Sequence, residues 1–124
     1  MTRPIRRFLL LEATAFAAAA SVHFGASISG YEHRRAAVAE SVIAAVLLAG
    51  LAVTWIAPRW AGRVGLAAQA FALLGTLVGV LTIAVGVGPR TVPDVIYHVA
   101  IVAVLIWGLI VARRAPNGAA GQRG

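Results

Sequence analysis

Four apolar stretches, each about as long as a bilayer is thick, occupy nearly all of this 124-residue chain. They run over residues 8–28, 36–57, 64–87 and 95–112. A helix needs ~20 residues to cross the hydrocarbon core, and inside a bilayer the backbone has to satisfy its own hydrogen bonds. The stretches lack the alternation of barrel strands and are about twice the ~10 residues such strands need. They are also apolar all round, whereas the helices of a soluble bundle keep a polar face. Only 12% of the residues are charged, against roughly 25% in soluble domains. The expectation is an all-α, integral membrane four-helix bundle in up-down-up-down order, with one domain over residues 1–114 and a flexible tail over 115–124.

The net charge of +7 suggests nucleic acid until the arginines are placed. Arg3, Arg6, Arg7, Arg59, Arg63, Arg113, Arg114 and Arg123 fall on one side of the expected membrane; Arg34, Arg35 and Arg90 fall on the other. By the positive-inside rule both termini and the middle loop are cytoplasmic in a plasma (inner) membrane. The excess charge then meets anionic head groups. No soluble basic surface is left for a nucleic acid. Arg6-Arg7 followed by an apolar run and small residues also has the outline of a signal peptide. The run is longer than an h-region and holds Glu12, so retention as a span is expected.

The absence of cysteine excludes disulfides, thiolate metal sites, iron–sulfur clusters and covalently attached haem. Short loops at 29–35, 57–62 and 86–93 leave an antiparallel bundle as the natural topology. Pro58 stops the second helix, and Trp55, Trp60 and Trp107 suit the head-group level. Ala68, Ala72, Gly75, Gly79, Thr82 and Gly86 form a stripe of small residues along the third span. Such a stripe permits close backbone approach, to another span or to a second copy of the chain, with an internal contact favoured.

Ionisable residues inside the spans are costly and ordinarily mark a functional interior. Counting along the helices at about 1.5 Å per residue puts His23, Glu40, Asp94 and His98 at one depth near the outer face. Imidazoles with carboxylates are the ligand set of a metal ion, and His23 and His98 on different helices could ligate a b-type haem. Each residue also has a plainer role. Thr91-Val92-Pro93-Asp94 fits a helix capping box, and Glu40 can pair with Arg34 or Arg35. Loop residues Glu32 and His33 could join this layer from above, although solvated side chains are the expectation. Closer to the cytoplasmic side, Glu12 and Gln69 form a thinner polar layer. Glu12 lies eleven residues before His23 and on the same face, so Glu12 and Gln69 are candidates for a proton relay running through Thr14 or Thr76.

No Ser-His-Asp arrangement, phosphate-binding glycine loop or His-Glu-x-x-His is present, and nothing requires an enzyme. Chain length, four spans and a glutamate in the first span resemble the small multidrug resistance transporters; the residues around Glu12 depart from that family's motif, and no residue roles are carried over. Three functions follow as expectations. The first is a non-enzymatic binding or accessory subunit, in contact with lipid and with itself or a larger membrane complex, whose outer layer holds a metal ion or haem. The second is a proton-coupled transporter acting as an oligomer, and the third a purely structural membrane protein.

Overall fold

A computed structural model describes residues 2–115. It contains four helices: α1 (Thr2–His23), α2 (Arg34–Ile56), α3 (Ala61–Ala84) and α4 (Val92–Arg114), with a short 3-10 turn at Pro58–Trp60 between α2 and α3. The expected tail, apart from Ala115, lies outside the described residues. Successive helices run antiparallel. Arg6 meets Thr54 and His23 meets Glu40 between α1 and α2. Gly75 abuts Ile43 between α3 and α2, and Gln69 reaches Gly108 between α3 and α4. The bundle therefore has a termini end, which also carries the α2–α3 turn, and a loop end with the other two connections.

Three segments, Arg34–Ile56, Pro58–Ala84 and Val92–Arg114, are long and apolar enough to cross a membrane, which is the build of a membrane protein. Helix α1 is equally long, but its 22 residues include Arg3, Arg6, Arg7 and Glu12. That differs from the expected first span at 8–28. The helix begins near the N-terminus and ends five residues early, because Gly25 provides a stop. With φ at 76°, Gly25 takes the left-handed conformation that closes a Schellman motif: its N–H donates to Val22 O, and Ala26 N–H donates to Ser21 O. Gly86, at φ 84°, ends α3 in the same way, with bonds to Ile83 O and from Val87 to Thr82 O.

The core is a column of Ile5, Leu9, Ala13, Phe16, Ile43, Leu47, Ala72, Ile101 and Leu105. Large apolar residues such as Leu74, Leu81, Val99 and Ile106 face outward, as lipid contact requires. At the termini end, the Arg6 guanidinium lies 3.7 Å from the centre of the Trp55 ring, and Arg59 and Arg63 flank Trp60. Most of the small-residue stripe of α3 packs internally: Ala68 and Ala72 are buried, Gly75 meets α2 and Gly79 meets His98 of α4, while Gly86 at its end is exposed.

Candidate functional site

At the loop end, one imidazole joins three helices. His23, the last residue of α1, places Nδ1 at 2.7 Å from Glu40 Oε2 on α2 and Nε2 at 2.8 Å from Asp94 Oδ1 on α4. All three residues are buried. A buried charge is tolerated only when paired and hydrogen-bonded, and this cluster meets that condition from several sides. The Thr91 backbone N–H donates to Asp94 Oδ2 at 3.2 Å, the Thr91 hydroxyl also donates to it, and the Asp94 N–H donates back to Thr91. Asp94 is thus both the N3 residue of a capping box and a member of the cluster, one oxygen for each task.

The proton count follows from the contacts. Asp94 Oδ2 accepts from Thr91, which leaves Oδ1 for a proton shared with His23 Nε2. In the other contact a proton lies between His23 Nδ1 and Glu40 Oε2, carried by one or the other. Two protons shared by one imidazole and two carboxyls leave the trio with one net negative charge wherever that second proton sits.

This geometry departs from the expected metal or haem layer. Both nitrogens of His23 are already engaged by carboxylates, leaving neither lone pair directed at a metal or a haem iron. His98 does not join the trio. Its Nδ1 donates to the backbone oxygen of Asp94 at 2.7 Å, one helical turn back, and its Nε2 side faces Gly79 of α3. Among the described residues, no three His, Cys, Asp or Glu converge as ligands of a metal ion would. His23, Glu40, Asp94 and His98 share a depth without sharing a coordination point.

His33, expected to be solvated, is half-buried and bridges the loops above the site. It caps α2, with Ala36 N–H donating to His33 Nδ1 at 3.2 Å, and its Nε2 lies 3.3 Å from Val87 O in the α3–α4 loop. The His33 N–H donates to His23 O at 2.8 Å. Cap preferences favour Ser, Thr, Asp and Asn, so a histidine in this role gives no signal in sequence. Glu40 turns to His23 and has no ion pair with Arg34 or Arg35.

Beside the trio lies a cavity of about 240 Å³. Phe16, Ile43, Thr76, Tyr97 and His98 wall it, Glu40 opens onto it, and His33 and Arg35 stand at its mouth. The buried Tyr97 hydroxyl has no hydrogen-bond partner.

Glu12 and Gln69 are brought together farther down the bundle, and both are fully buried. The track expected to join them to His23 is interrupted. Thr14 is exposed on the outside of α1, and the Thr76 hydroxyl donates to Ala72 O in its own helix. Ala13, Phe16, Ala20, Ile43 and Ile101 fill the space between the two polar levels.

No protein-family model, curated protein or solved structure matches this chain.

Proposed function

We propose that this chain is a non-enzymatic membrane protein that binds a small organic cation in the cavity next to the His23 trio, alone or as the accessory subunit of a larger membrane complex. The observation that carries this reading is Glu40. Its carboxylate belongs to a cluster with one net negative charge, and the same side chain opens onto a cavity of about 240 Å³ walled by Phe16 and Tyr97. Aromatic faces and a nearby carboxylate together favour a cation with an apolar body, and an apolar pocket with a few polar groups is the ordinary form of a small-ligand site. The unpartnered Tyr97 hydroxyl provides a further hydrogen-bonding group.

In the same proposal the protein sits in a plasma (inner) membrane with both termini cytoplasmic, in accord with the arginine asymmetry. The cavity then opens towards the outer face.

The test is calorimetric titration of the detergent-purified protein with benzyltrimethylammonium and with its neutral isostere, neopentylbenzene. Binding of the cation alone, weakened at least tenfold in Glu40→Gln, is the expected result. Absence of binding, or equal binding of the neutral compound, would refute the reading.

A further inference from the structure

Glu12 sits near the middle of α1 with no solvent exposure, and neither of its carboxyl oxygens has a hydrogen-bond partner. Gln69 Oε1, on α3, is likewise buried and without a partner. The two oxygens are neighbours. A Cβ built on Gly108 of α4 would overlap Gln69 Oε1 and lie 2.7 Å from Glu12 Oε1. Glycine is required at 108 because these two side chains already fill the space.

The amide of Gln69 cannot supply the missing donor. Its Nε2 donates to Gly65 O at 3.1 Å and to Gly108 O at 3.3 Å. Exchanging the amide oxygen and nitrogen would set Oε1 against those two carbonyl oxygens, so the orientation is fixed by its acceptors. Neither does a cation compensate Glu12. The Arg6 guanidinium on α1 is committed to the Thr54 oxygens at 2.7 and 3.2 Å and to the Trp55 ring. The ion pairs among the described residues belong to His23. What α3 and α4 bring to this level is the Gln69 amide and Gly108. Two unpartnered acceptor oxygens beside each other in a buried site repel, and an ionised carboxylate there would be a buried, unpaired charge. A single proton on Glu12 removes both problems by turning the carboxyl into a donor.

We propose that Glu12, Gln69 and Gly108 form a proton-binding site inside the bundle, in which Glu12 is held as the neutral acid and its O–H donates to Gln69 Oε1. The ligand is a proton because Glu12 Oε1 and Oε2 and Gln69 Oε1 are the unpartnered oxygens at this level, and a hard metal cation takes about six oxygen ligands. One hydrogen bond from α1 to Gln69, continued by the Gln69 amide to α4, ties three helices at this level without any charge. The site stands apart from the cavity at the loop end and does not depend on what that cavity binds.

Infrared spectroscopy of the full chain in detergent at neutral pH tests the assignment, with 13C-glutamate labelling to separate glutamic from aspartic acid. The expected result is a label-sensitive carboxylic-acid carbonyl band that disappears in Glu12→Gln. That variant keeps the shape of the neutral acid and is expected to melt within a few degrees of the parent. Should it fail to accumulate, the band is sought in Glu40→Gln, where exposed Glu32 is the other glutamate and the remaining acid band reports Glu12. Absence of the band there, or a Glu12→Gln difference spectrum showing only carboxylate modes, overturns the proposal. So does a melting temperature that rises with sodium or lithium over choline in the parent but not in Glu12→Gln, because the ligand would then be a metal cation.

Discussion

The bundle handles buried acidity in two different ways at two levels. At the loop end, Glu40 and Asp94 are held by an imidazole and a helix cap, and nearly every contact is charge-assisted. Near the middle, Glu12 has an uncharged amide for a neighbour and no hydrogen bond to a donor. The first arrangement keeps charge inside the protein by surrounding it with partners. The second is tolerable only without the charge. Carboxyls of similar burial thus have opposite requirements, set by what the neighbouring helices present.

Removing the shared partner is the most severe way to break this contrast. His23→Ala leaves two carboxyls buried without their common partner, and breaking a buried ion pair costs about 3–5 kcal/mol. The variant is expected to melt far below the parent in detergent or to fail to accumulate. A melting temperature like the parent's would mean that the trio contributes little to holding α1, α2 and α4 together.

A milder perturbation acts at the neutral level. Gly108→Ala forces a methyl group into the space of Gln69 Oε1 and Glu12 Oε1, and overpacking of this kind costs about 1–3 kcal/mol. Differential scanning fluorimetry should show a clear drop, together with loss or shift of the Glu12 acid band. An unchanged melt would show that the two side chains can move aside, and would weaken the argument for a fixed proton site.

Thr91→Ala is expected to have the smallest effect. It removes the cap of α4 at a typical cost of about 1 kcal/mol, while His23 still holds Asp94 Oδ1. A loss much larger than this would mean that Thr91 supports the whole trio and not just the helix end.

The contrast was only partly legible in the sequence. Helix number, antiparallel order and the depth of each polar residue follow from length and a fixed rise per residue. His23, Glu40 and Asp94 do meet, and Glu12 does lie beside Gln69. Direction around each helix axis is a different matter, because no count of residues fixes how a helix is rotated against its neighbours. His98 shares the depth of His23 yet turns to α3 and to its own backbone. Thr14 lies on the outside, so the expected polar track has no middle. The end of α1 was hidden for another reason. Gly25 stands within an apolar run, and hydropathy does not register a left-handed residue.

The trio has a mechanical consequence as well. His23 fastens α1, α2 and α4 at the loop end, and α3 contributes no side chain to that fastening. Helix α3 nevertheless forms one wall of the adjoining cavity through Gly75, Thr76, Gly79 and Thr82. At this end α3 is tied through its backbone instead: Arg90 donates to Ile83 O at 2.8 Å and to Ala84 O at 3.2 Å, and His33 reaches Val87 O just beyond the helix. A change at Arg90 therefore acts on the α3 wall of the cavity and leaves the shared protons of the trio in place.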